Sequence, residues 1–87
     1  MTAQEIIVDQ LRKKWKAKGW NVTANLEEIP ESTGVYALFD GIQIKASGVT
    51  FNMRKSIASC TWFGKCEIPI FMWMPDMDGS VEEWLKQ

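Results

Sequence analysis

Apolar and polar positions alternate most regularly between Val35 and Ala46. Val35, Ala37 and Phe39 are followed, across Asp40-Gly41, by Ile42, Ile44 and Ala46. An Asp-Gly pair suits a two-residue hairpin loop, because both central positions of a type I′ turn need positive φ, which Gly adopts freely and Asp tolerates. With that loop, Phe39 faces Ile42, Ala37 faces Ile44 and Val35 faces Ala46, so the apolar side chains share one face. Ser47-Gly48 repeats the arithmetic: Ala46 faces Val49, Ile44 faces Phe51 and Ile42 faces Met53. The two turns agree on register and face, which predicts a three-stranded meander.

Ahead of this meander the apolar period is helical. Ile7, Val8, Leu11 and Trp15 form one stripe, and Glu5, Asp9, Arg12, Lys13 and Lys16 fill the other side. Thr2 and Glu5 make a capping box that starts the helix. Gly19 ends it, in a Schellman stop that brings Trp20 back onto Trp15. From Trp20 to Leu26 the period is two, which predicts a half-buried strand, and Glu27 to Thr33 reads as a polar connection. After the break at Arg54-Lys55-Ser56, Ile57 to Phe63 and Cys66 to Met74 are strand candidates joined at Gly64-Lys65. The last of these is apolar on both faces, so it is either sandwiched between layers or carries a sticky outer face, and Pro69 argues for an edge. Ser80 and Glu83 form a second capping box, and Val81, Trp84 and Leu85 give a short C-terminal helix its stripe. Residues 1–87 are therefore expected to form a single α+β domain: an N-terminal helix packed on an antiparallel β-meander of about five to six strands, with a short C-terminal helix.

Composition narrows the function classes. The chain has 87 residues, of which 46% are apolar, enough for one core, and 24% are charged, which argues against wholesale disorder. A net charge of −1 disfavours coating of nucleic acid or anionic membrane by bulk electrostatics. No apolar run is long enough to cross a bilayer, and Glu5 and Asp9 stand where a signal peptide would be basic and then apolar. A soluble, cytoplasmic protein with no membrane association is the expectation.

Candidate chemistry is sparse. The sequence contains no histidine, so it lacks the usual general base near neutral pH. A two-residue loop at Gly64-Lys65 pairs Phe63 with Cys66 and Cys60 with Pro69, so the cysteines are expected to be free thiols rather than a disulfide. Two thiols without a second ligand pair do not make a structural zinc site, and no glycine-rich phosphate loop is present. No cofactor, metal or catalytic residue is expected.

Two short stretches resemble known families. Met74-Pro75-Asp76-Met77-Asp78-Gly79 is similar to a turn of response-regulator receiver domains, but the position of that family's phosphorylated aspartate holds Phe71. Asp76 and Asp78 are instead expected to end the strand and place negative charge before the last helix. Gly34-Val35-Tyr36-Ala37-Leu38-Phe39-Asp40 resembles the first half of a GIY-YIG nuclease, whose second triplet would fall on Ala46-Ser47-Gly48, where no tyrosine stands. That resemblance implies that Arg54 would stand for the family's arginine and Glu67 for its metal-binding glutamate, in a degenerate nuclease.

Binding is the reading that the residues favour. Five Trp and four Phe exceed what so small a core hides completely. Trp15, Trp20 and Trp84 are expected to build the core, and Trp62, Phe71 and Trp73 to form a partner contact, aromatic residues being enriched at contact centres. The expectation is a non-catalytic protein acting stoichiometrically on another protein, an inhibitor or adaptor such as a phage-encoded antagonist of a host system. The alternative is nucleic-acid binding, with Arg12, Lys13, Lys16, Arg54 and Lys55 on phosphates and sheet aromatics stacking bases. An apolar sheet face paired across two copies, as a homodimer, is compatible with either.

Overall fold

The structure is a computed structural model and describes residues 2–87. Helix α1 spans Ala3–Trp15 and is set by local signals at both ends. The Thr2 hydroxyl accepts the Glu5 amide at 3.2 Å. At the other end a 3₁₀ turn over Lys16–Lys18 closes on Gly19 at φ 89°. The Trp20 amide donates to the Trp15 carbonyl and the Gly19 amide to that of Lys16, the paired bonds of a Schellman stop.

Four strands follow: β1 (Asn21–Thr23), β2 (Gly34–Asp40), β3 (Gln43–Thr50) and β4 (Pro69–Pro75). They form one antiparallel sheet in the order β1-β4-β2-β3, not a meander of five to six strands. The hairpin loop is Gly41-Ile42 rather than Asp40-Gly41, because Asp40 pairs with Gln43. Gly41 has φ 63°, and among the described residues no residue other than glycine has positive φ, so the turn is type II′ with Gly at its first central position. A bulge inserts Lys45 between the Phe39–Ile44 and Leu38–Ala46 pairs.

The second expected turn, at Ser47-Gly48, does not form, and β3 runs straight through it to Thr50. Gly48 lies opposite Tyr36. A Cβ there would come within 3.2 Å of the Tyr36 hydroxyl, so the glycine makes room for a cross-strand ring, not for a bend. The chain then enters helix α2 (Met53–Ala58), where strands ending at Met53 and starting at Ile57 had been expected. Asn52 caps α2 by accepting the Lys55 amide at 3.0 Å, and Met53 and Ile57, one turn apart, are fully buried.

The strand expected from Trp20 to Leu26 is cut to three residues. The Thr23 hydroxyl accepts the Asn25 amide, and Asn25 in turn caps a 3₁₀ turn at Leu26–Glu28, which together bend the chain away. Strand β4 is central rather than at an edge. Pro69 is tolerated because it is the first strand residue and β1 reaches only Phe71–Trp73, so at Pro69 no strand needs its amide on the β1 side.

Strand β4 is covered on both faces, which explains why it is apolar on both. On one face Val22, Ala37, Phe39, Ile70 and Met72 pack with Val8 and Leu11 of α1. On the other, Leu38 and Phe71 pack with Met53 and Ile57 of α2 and with Ile29. Burying each of these larger apolar side chains contributes roughly 1.5–3 kcal/mol. Helix α3 (Ser80–Leu85) lies against β2 and β3. The Ser80/Glu83 box is not used, because Gly79 is the cap residue. Asp76 accepts the Val81 and Glu82 amides and Asp78 accepts that of Ser80. No described helix is long and apolar enough to cross a membrane.

Candidate functional site

The segment between α2 and β4 is a run of tight turns: Phe63 donates to the Cys60 carbonyl and Lys65 to that of Trp62, both at 3.0 Å. One ring of this segment points in and its neighbour points out. Phe63 stacks on Phe71, with ring centroids 6.0 Å apart and planes 22° apart, and so ties the loop to the core. Trp62 is left 43% exposed. Two ammonium groups flank its indole, Lys45 at 5.1 Å and Lys65 at 5.9 Å from the ring centroid. Lys45 is the bulge residue of β3, so the extra residue in the ladder is what aims it at the ring. The arrangement is a partly exposed apolar ring with a positive rim.

Of the other two expected contact residues, neither projects as Trp62 does. Phe71 is 2% exposed and belongs to the core, which corrects its assignment to a partner surface: the α2 layer covers the face that the sequence pattern left open. Trp73 is half-buried against the same cluster. Among the tryptophans expected in the core, Trp15 and Trp20 pack against the α1-side cluster, whereas Trp84 is 63% exposed. Sequence reasoning missed Lys45 and Lys65 as flanks of Trp62, and Phe63 as its anchor. The bulge that places Lys45 has no local sequence signature.

Cys60 and Cys66 are free, half-buried thiols at the base of this loop. Burial, reinforced by the Asp40 carboxylate, pushes the Cys66 thiol up, which leaves it a poor nucleophile at neutral pH. Asp40 itself ties the loop to the hairpin by accepting the Ile68 amide at 3.0 Å. Among the described residues no group of three or more Cys, Asp or Glu is placed to hold a metal ion.

The basic residues separate into two sets. Arg12, Lys13 and Lys16 belong to α1 and its extension on one face of the sheet, Arg54 and Lys55 to α2 on the other. Arg12 donates through Nε to the Val22 carbonyl at 3.0 Å, and Arg54 to the Ile29 and Glu27 carbonyls, so both guanidinium groups brace the fold. Lys13 pairs with Asp9 at 3.2 Å. Arg12 and Lys16 do line a cleft of about 350 Å³ with Trp20, Asn21, Glu28 and Trp73 at the β1 edge. In the GIY-YIG-like stretch, Gly34-Val35-Tyr36 and Ala46-Ser47-Gly48 lie on paired strands, while Glu67 is exposed ahead of β4. Comparisons with protein-family models, curated proteins and solved structures find no match for this chain.

Proposed function

We propose that the chain is a small non-catalytic module that binds another protein stoichiometrically, as an inhibitor or adaptor, with Trp62 as its contact centre. The observation that carries this reading is the contrast within one loop: Phe63 is anchored on Phe71 while Trp62 is held outward between Lys45 and Lys65. The exposed part of the indole, on the order of 100 Å², is available to a partner, and a Trp that fills a partner's pocket is worth about 2 kcal/mol or more, roughly 30-fold in affinity. The lysine rim favours a partner with acidic residues around that pocket.

The test compares immobilised wild-type and Trp62→Ala protein as baits, with captured proteins identified by mass spectrometry and circular dichroism confirming that both baits are folded. A partner captured by the wild type and lost from Trp62→Ala, and weakened by Lys45→Glu with Lys65→Glu, supports the assignment. An identical captured set on both baits removes it. A second reading, nucleic-acid binding, is favoured by the β1-edge cleft that joins Arg12 and Lys16 to the rings of Trp20 and Trp73. It requires affinity for an oligonucleotide that falls steeply with salt and is lost in Lys16→Glu.

A further inference from the structure

The two edges of the sheet are unequal. β1 is three residues long, and Arg12 occupies its Val22 carbonyl. β3 is eight residues long, contains no proline, and its one charged residue, Lys45, is drawn onto Trp62. Short length, charge, proline and bulges are the usual devices that keep an edge from pairing; β3 carries one bulge, at Lys45, and residues 46–50 beyond it have no charge, proline or bulge. On the α1 side of the sheet, α1 packs over β1 and β4. The β3 side is left open there: Ile42 and Ile44, which line a groove with Leu11 and Trp15, are 73% and 54% exposed, and Phe51, just past the end of the strand, is 51% exposed. These are residues that the sequence pattern assigns to a buried face.

We propose that β3 pairs antiparallel with β3 of a second copy of this chain, forming a closed two-fold dimer with a continuous sheet through both subunits. This goes beyond the Trp62 contact, which lies on the α2 side of the sheet. Because both copies use the same edge, the pairing closes on itself, and β1, three residues long with its Val22 carbonyl taken by Arg12, offers little edge to a further copy.

Antiparallel pairing sets the Ile42–Ile44 end of one copy beside the Val49–Phe51 end of the other, so the two exposed strips join into one apolar band. The exposed parts of Ile42, Ile44 and Phe51 are on the order of 100 Å² each, or about 600 Å² for the pair. A stable interface at the lower bound of about 1,200 Å², somewhat over half of it apolar, needs roughly 700 Å². Val49 and Trp15, which border the same groove, supply the remainder.

Charge fits the same arrangement. Lys14 lines the groove beside Ile42 and Ile44. Helix α3, whose Glu82 pairs with Lys86 at 3.3 Å and whose Glu83 is exposed, lies against β2 and β3, its Val81 sharing a cavity with Val35, the cross-strand partner of Val49. The two-fold axis brings Lys14 of each copy toward α3 of the other.

Sedimentation equilibrium of the full chain is expected to give twice the chain mass at ~100 µM, dissociating on dilution. Ile44→Lys, at an exposed position, is expected to give the monomer mass with unchanged circular dichroism. Amide hydrogen exchange supplies the independent readout on the wild type: protection of β3 is expected to rise with protein concentration. A wild-type monomer at ~100 µM overturns the proposal. So does a dimer whose β3 amides exchange at a rate independent of concentration, which would place the interface elsewhere.

Discussion

Trp62 is presented only while Phe63 stays seated on Phe71, and that contact can be weighed by a double-mutant cycle. Leucine replacements keep most of the apolar volume and remove the ring pair. Phe71 is almost fully buried, so Phe71→Leu is expected to cost about 1–1.5 kcal/mol, and Phe63→Leu, at a half-buried position, about half as much. Alanine at Phe71 would cost about 3–5 kcal/mol, a large share of the roughly 4–13 kcal/mol expected for a chain of this size, and would blur the cycle by unfolding the protein. The ring pair itself should appear as a coupling of about 0.5–1.5 kcal/mol. Urea unfolding of the four proteins measures it. The corresponding melting shifts are about 4–8 °C per kcal/mol. Exchange of the Phe63 and Lys65 amides should accelerate in both single variants, since their bonds to Cys60 and Trp62 define the loop. A coupling below about 0.3 kcal/mol, the level of ordinary additivity, would show that the stack does not hold the loop, and the account of how Trp62 is presented would fail.

Four further outcomes follow from single contacts. Gly34→Ala should destabilise the fold by about 1–3 kcal/mol in equilibrium unfolding, because its Cβ would lie 2.5 Å from the Met74 carbonyl oxygen and from the Met53 sulfur. Asp76→Ala removes the acceptor of two α3 amides and should cost α3 about 1–2 kcal/mol, seen as faster exchange of the Val81 and Glu82 amides with the rest of the sheet unchanged. Its neighbour Asp78 is held below the usual carboxylate range by the Ser80 hydroxyl and amide, so its contribution is present at neutral pH and is lost as pH falls through that lowered value. Asp78→Asn should flatten the acid-side dependence of α3 exchange. Cys66, with its thiol pushed up, should be alkylated by iodoacetamide with a pH midpoint above that of an unhindered cysteine, and Asp40→Asn should lower that midpoint.

Features decided by neighbours along the chain can be read without the structure. Helix α1 carries its start in Thr2 and its stop in Gly19-Trp20, and both act through backbone bonds within a few residues. The existence of β2 and β3 was legible for the same reason, as was the use of Asp76 and Asp78 ahead of α3. Boundaries that depend on side chains from afar were not. Gly48 reads as a turn residue until Tyr36 is seen lying over it, and Gly41 takes the first rather than the second loop position once the Lys45 bulge shifts the ladder. Helix α2 is too short to declare a period, and only burial of Met53 and Ile57 beneath the sheet makes it a helix.

The tertiary structure alone decided the strand order and, with it, the site. Placing β4 between β1 and β2 gave it two covered faces, which took Phe71 into the core and left Trp62 outside. The same placement left β3 as an edge with Ile42 and Ile44 partly uncovered, because on their face of the sheet α1 lies over β1 and β4. An alternating pattern states which residues share a face. Which faces are covered depends on how many layers the rest of the chain supplies and where they land, a non-local balance of burial that no short window contains.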